Sequence, residues 1–259
     1  MKRIFTLGAA VLLAIGSASA WGAFGHDVVV ELAKPHLTER TKQNIAKYMP
    51  YDITTESSWM DHHRDDKEIA YTTAWHVYCS DKHRKYDPNP RLYKGGDAIH
   101  ALKIADYNLS RYKELSDSAV VMNLRLVLHF TGDIHCPTHF YLPGKRCHWP
   151  CELNGKAYGW FHSVYDYLPD ALHEGKSATA LAAELDNASK GERKRVCRGS
   201  IHDWAADCIV RNRAIYDWNP HGTKVLDPNT PELSRDLVNT QLRNAGYRLA
   251  CLLNKYFDK

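Results

Sequence analysis

In the segment His129-Phe130-Thr131-Gly132-Asp133-Ile134-His135-Cys136-Pro137-Thr138-His139, and again at His162 and Asp166, an imidazole and a carboxylate stand four residues apart. Positions four apart share one face of a helix, so each pair can present a nitrogen and an oxygen to one point in space. Such donors suit a divalent metal ion. A single pair of this kind is commonly a surface ion pair, and a lone histidine on an apolar face is commonly a hydrogen-bonded core residue. Five candidate groups within 38 residues weigh against that reading. Pro137 disfavours helical backbone at Cys136, so a helix carrying His129 and Asp133 must kink or end there and present His139 in another direction. His135 and His139 are also four apart, and spacing alone does not choose between them.

The elements that must position these groups read as helices. Ile99, Leu102, Ala105, Leu109 and Tyr112 recur at helical spacing, as do Leu124, Val127 and Leu128 leading into His129. Ile201, Trp204, Ala205, Cys208 and Ile209 mark another helix, and Leu233, Leu237, Leu242, Ala245, Leu249 and Leu252 a long last one, with Pro231 suited to its first turn. Strand-like alternation is scarce, and the glycine-rich stretch 142–159 reads as an ordered loop. Neither a repeat nor a linker of Gly, Ser or Pro divides the chain. The expectation is a single, mainly α domain whose site is assembled from several helices and the N-terminal region.

The first 20 residues read as a secretory signal peptide: Lys2 and Arg3, an apolar stretch around Ala9 to Ile15, then Ala18-Ser19-Ala20 suited to cleavage. Cleavage leaves residues 21–259, beginning at Trp21 and thus without the cysteine that a lipoprotein anchor needs. The apolar stretch is too short to span a bilayer and no later one is long enough, so an exported chain without a membrane anchor is expected. Losing Lys2 and Arg3 lowers the formal charge of +4 by two, a balance that neither demands nor excludes a polyanionic partner. Seven cysteines permit at most three intramolecular disulfides in an oxidising compartment. Cys147 with Cys151 and Cys197 with Cys208 are candidate local pairs, the connectivity remaining open.

Taken together, Trp21-Gly22-Ala23-Phe24-Gly25-His26, Trp59-Met60-Asp61-His62-His63-Arg64, Trp75-His76, the segment 129–139 and His162-x-x-x-Asp166 resemble the zinc-dependent class I nucleases. These are single-strand-preferring nucleases and 3′-nucleotidases, related in fold to the zinc phospholipases C. The anchors run in family order through about the first two-thirds of the chain after residue 20. The resemblance implies a multi-helix phospholipase C/nuclease-like fold with a trinuclear zinc cleft. It assigns Trp21, through its free amine and carbonyl, with His26 and Asp133 to one zinc. Asp61, His76, His129 and the shared Asp133 go to a second, and His139, His162 and Asp166 to a third. His135 is left as a possible outer residue of the site.

This site implies metal-assisted hydrolysis of a phosphoester, with Asp61 orienting the attacking water as well as binding metal, and Arg64 pairing with the phosphate. By resemblance the bond broken is P–O3′ in single-stranded RNA or DNA, giving 5′-phosphates, or a 3′-nucleotide loses its phosphate. Tyr78, Tyr141, Tyr158 and Trp160 are candidate platforms for stacking bases, and a monomer is favoured. Around the expected base pocket the chain departs from the family's pattern: Cys136 stands where Gln is usual, Trp160-Phe161 replaces Asn-Leu, Tyr165 replaces Trp, and no Gly-Gly-Asn segment is evident. A phospholipase C-like phosphodiesterase and a noncatalytic exported zinc-binding protein are the alternatives. Asp166 in place of Glu, and the lack of an apolar docking segment, favour the nuclease branch.

Overall fold

The computed structural model describes residues 21–88, 95–143 and 145–259; the expected signal peptide lies outside them. Among the described residues there are twelve α-helices, four short 3-10 turns and two two-stranded sheets, in one mainly α body. No described helix is long and apolar enough to cross a membrane.

The first helix, Ala23–Ala33, buries Val28, Val29, Val30 and Leu32, apolar residues on more than one face, and so needs partners all round. It finds them in the C-terminal helix Thr230–Phe257 and the short helix Ala178–Leu185. Gly246 of the C-terminal helix meets Leu32 so closely that a side chain there would collide with it. Pro231 lies in the first turn of that helix, where its missing N–H costs nothing. The expected buried stripe holds for Leu242, Ala245, Leu249 and Leu252, whereas Leu233 is exposed, the first turn burying Thr230 and Ser234 instead.

The central helix, Asp117–Asp133, begins at Ser116, whose hydroxyl accepts from the Ala119 N–H, and packs on the helix Ala98–Leu109. It stops three residues before Cys136, as Pro137 requires. The carbonyls released at its end find partners elsewhere. The Tyr78 hydroxyl donates to Ile134 O at 2.8 Å, and Asn212 Nδ2 donates to His135 O and Cys136 O at 3.2 and 3.4 Å. Beyond this end, Phe140–Tyr141 pairs in parallel with Tyr78–Cys79, in the register Tyr78 to Phe140. Those two strands are direct continuations of His139 and of the turn that carries His76.

Two readings of the sequence need correction. Within 142–159, Cys151–Leu153 and Lys156–Tyr158 form an antiparallel hairpin closed by Asn154-Gly155, both at positive φ as a two-residue hairpin turn demands. Three-residue strands are too short to display alternation. Cys197 forms a disulfide with Cys251 of the C-terminal helix, not with Cys208. Cys208 is a buried thiol, and so are Cys147 and Cys151, which do not pair with each other. The Cys147 sulfur lies 2.8 Å from the Tyr216 hydroxyl.

Candidate metal centre

His129 and Asp133 sit on the last two turns of the central helix, fully buried, and the other candidate donors arrive around them on separate elements. His26 comes from the first helix. Its ring stacks on that of His129 with centroids 4.1 Å apart, and its Nε2 lies 3.4 Å from Asp133 Oδ1. This approach is possible because residue 132 is glycine: a Cβ there would stand 2.8 Å from His26 Nδ1. Asp61 comes from the single turn Trp59–His62, and His76 closes the 3-10 turn Ala70–His76.

His76 Nδ1 lies 3.1 Å from Asp133 Oδ2, 3.1 Å from His129 Nε2 and 3.5 Å from Asp61 Oδ1. His129 Nδ1 donates to Ser57 O at 2.9 Å, which orients the ring and leaves Nε2 facing the carboxylates. His139 is fixed in the same way, its Nδ1 donating to His76 O at 2.5 Å. Its Nε2 is thereby aimed at Asp166 Oδ1, 3.5 Å away. His162 Nε2 stands 3.6 Å from Asp166 Oδ2, one turn along the helix Phe161–Asp166. The His162 N–H donates to Cys147 O and that of Phe161 to Trp149 O, so the 142–159 segment holds this short helix in place.

Trp21 is fully buried, and its indole N–H donates to Gly132 O at 3.0 Å. The next residue, Gly22, donates its N–H to Asp166 O at 2.6 Å. The chain at residues 21–22 therefore lies between the two helices that carry Asp133 and Asp166. Arg64 pairs with Asp61 Oδ1 through Nη2.

These donors lack the partners that buried polar atoms ordinarily have. Both ring nitrogens of His26, both oxygens of Asp133, Asp61 Oδ2, His76 Nε2, His139 Nε2 and Asp166 Oδ2 are buried without a hydrogen bond. An unpaired buried polar atom costs about 1–3 kcal/mol, so a cluster of them calls for a ligand. Three groups of donors lie close enough to share a cation: His26, His129 and Asp133; Asp61, His76 and His129; Cys136, His139 and Asp166. The electrostatics agree. Burial pushes the Asp166 carboxyl well above its usual range, helped by the charges of Asp61 and Asp133, so a cation is what would keep it ionised. Burial holds His139 down to about 4 and His162 well below its usual value, leaving both imidazoles neutral, as metal ligation requires. Burial would also raise Asp133, but the charge of His129 outweighs it and holds that carboxyl well below its usual range.

Of the three donor groups, two share His129 rather than Asp133 and none includes His162, but the residues expected as metal ligands lie in one buried region. His135 is not part of it. Its Nδ1 donates to Thr131 O at 2.7 Å and its Nε2 accepts from Arg248 Nη1 at 2.8 Å, away from the carboxylates. Cys136 was not expected among the donors, although its spacing in Cys136-x-x-His139 is a metal-ligand spacing that sequence could have flagged. Of the four candidate platforms, Tyr78 and Tyr141 are buried and cannot stack a base, Tyr158 is partly buried, and Trp160 is 44% exposed.

Clustered, buried histidines and carboxylates at the converging ends of helices form a site able to hold metal ions. A family model for S1/P1 nuclease matches residues 21–258, and the chain belongs to that family, whose members are metal-dependent hydrolases of nucleic-acid phosphodiesters. It is 27% identical to Endonuclease 4 of Arabidopsis thaliana over 300 aligned positions, covering 94% of this chain and 91% of the relative. It is 24% identical to Endonuclease 2 of the same plant, covering 95% and 94%.

Proposed function

We propose that this chain is an exported endonuclease that uses three zinc ions to cleave single-stranded RNA or DNA at the P–O3′ bond, with 3′-nucleotidase activity at the same site. Residues 1–20 act as the export signal and residues 21–259 as the catalytic domain. The observation that carries this reading is the set of buried, unpartnered nitrogen and oxygen donors around Asp133 and Asp166. Their chemistry is that of zinc ligands.

The ligand sets are Trp21, His26 and Asp133; Asp61, His76, His129 and Asp133; and His139, His162 and Asp166. Zinc held there supplies Lewis acidity toward phosphoryl oxygen and water. The chain's own groups do the rest. Asp61 Oδ2, buried and without a partner, is an acceptor available to orient the attacking water. Arg64, held beside Asp61 by their ion pair, donates to the phosphate oxygens as charge redistributes on them. The Ser57 and His76 carbonyls keep His129 and His139 in their orientations throughout.

A preference for single strands is supported by an aromatic shelf beside the site. Trp160 stacks on His148 with centroids 4.5 Å apart, and His148 in turn lies 6.0 Å from the His162 ring. Bases of a single strand can stack on such a shelf, whereas those of a duplex are already stacked within it. The test uses protein beginning at Trp21, analysed for metal and then given single-stranded RNA and DNA, duplex DNA, a 3′-nucleotide and a phosphocholine diester. Hydrolysis of the single strands to 5′-phosphorylated products, and of the 3′-nucleotide, is expected. Hydrolysis of the phosphocholine diester alone, or metal binding without any hydrolysis, would overturn the proposal.

A further inference from the structure

Cys136 belongs to none of the ligand sets just named, and it stands where the family usually has Gln. The end of the central helix nevertheless turns it into the site. Its N–H donates to Gly132 O and Asp133 O, and its side chain is completely buried. The sulfur lies 3.9 Å from Asp166 Oδ1, which is itself 3.5 Å from His139 Nε2. These three donors all lie within 4.8 Å of one another. In a tetrahedral shell with zinc–sulfur near ~2.3 Å and zinc–nitrogen or zinc–oxygen near ~2.0 Å, neighbouring donors are about 3.3–3.6 Å apart. The sulfur–carboxylate and imidazole–carboxylate edges, at 3.9 and 3.5 Å, are within a few tenths of an ångström of that spacing.

A second observation points to a ligand between them. His139 Nε2 and Asp166 Oδ2 are buried and unpartnered, and the other nitrogen of His139 is committed to His76 O. His162 Nε2 stands 3.6 Å from Asp166 Oδ2, the other oxygen of the same carboxylate. The other buried thiols, Cys79, Cys147, Cys151 and Cys208, join no such group among the described residues.

We propose that Cys136 is a thiolate ligand of the third metal, so that this chain holds that ion by Cys136, His139, His162 and Asp166 rather than by two histidines and a carboxylate. The inference rests on the metal centre proposed above. The sulfur–metal bond forms as the thiol gives up its proton to solvent. A thiolate makes the position softer, favouring zinc, cobalt or cadmium over magnesium or manganese.

The experiment loads metal-free protein beginning at Trp21 with cobalt(II) and follows the near-ultraviolet sulfur-to-cobalt charge-transfer band alongside cobalt bound per chain. The intact protein should show the band at three cobalts per chain. Cys136→Gln should lose it, with one of the three cobalts held about tenfold or more weakly. Three bound cobalts without the band, or a band that survives in Cys136→Gln, would overturn the ligand and leave the proposed function standing. Fewer than three cobalts in intact, folded protein would overturn the metal centre itself. X-ray absorption at the zinc edge on unmodified protein asks the same question without a variant. About one sulfur per three zincs, near ~2.3 Å, is expected, and a shell of nitrogen and oxygen alone would refute it.

Discussion

Replacing Gly132 by alanine should remove a metal ligand without touching any donor atom. Gly132 lies in the last turn of the central helix, and a Cβ built on it falls 2.8 Å from His26 Nδ1 and 2.9 Å from His26 Cε1. Ordinary contact begins near ~3.5 Å, so the ring must retreat by about 0.7 Å. Its other face is stacked on His129, and His129 is tied to Ser57 O, so there is little room to retreat into. A metal–nitrogen bond tolerates about ±0.2 Å. The displacement is therefore several times what ligation by His26 allows. Stability moves less, because overpacking costs about 1–3 kcal/mol while exchanging helical glycine for alanine returns up to about 1 kcal/mol. Metal content by mass spectrometry should fall by one ion per chain, and hydrolysis of a single strand by about 100-fold. Thermal unfolding of the metal-free protein should shift only slightly. Gly191→Ala is the control, since the nearest atom to its new Cβ is Arg195 Nη1 at 3.9 Å. Full metal content and full activity in a folded Gly132→Ala protein would refute the reasoning.

Asp133→Asn should reduce activity more than Arg64→Ala, because Asp133 faces His26, His76 and His129 at once while Arg64 offers one phosphate contact; the reverse order with metal content intact in both would sink the assignment of Asp133 as the shared ligand. Protein beginning at Trp21 should bind more zinc and hydrolyse faster than the same protein with one extra N-terminal residue, since an amide nitrogen lacks the lone pair that a free amine donates. Equal occupancy and equal rates, with both N-termini verified by mass, would exclude Trp21 as a ligand. Metal binding should depend on pH through His129: burial lowers its pKa, but Asp133 and Asp61 outweigh burial and raise it to about 9. In metal-free protein that proton contributes stability that is full below about 6.5 and lost as pH climbs through about 9. Because a metal must displace the proton, affinity should rise from pH 7 to 9, with proton release visible by calorimetry in buffers of different ionisation enthalpy. A flat profile over that range would count against His129 as a ligand, because His139, held near 4, is already neutral there.

The pairs His129 with Asp133 and His162 with Asp166 were legible because helical periodicity is local, and a spacing of four needs no knowledge of the fold. The same holds for the buried stripes of Ile99 to Leu109 and Ile201 to Ile209, and for Pro137 as the end of the central helix. Residue spacing could not choose between His135 and His139, which share that period. The tertiary structure separates them: His135 turns to Arg248, while the parallel pairing of Tyr78–Cys79 with Phe140–Tyr141 brings His139 against the His76 carbonyl. Nor could it find the Cys197–Cys251 bridge, whose partners are 54 residues apart, or tell buried Tyr78 and Tyr141 from exposed Trp160. Cys136 makes the same point, since its place beside Asp166 depends on where two separate helices end. What a residue can bind follows from its side chain and its near neighbours, but what it faces is set by packing between distant segments, and that packing is a property of the whole chain.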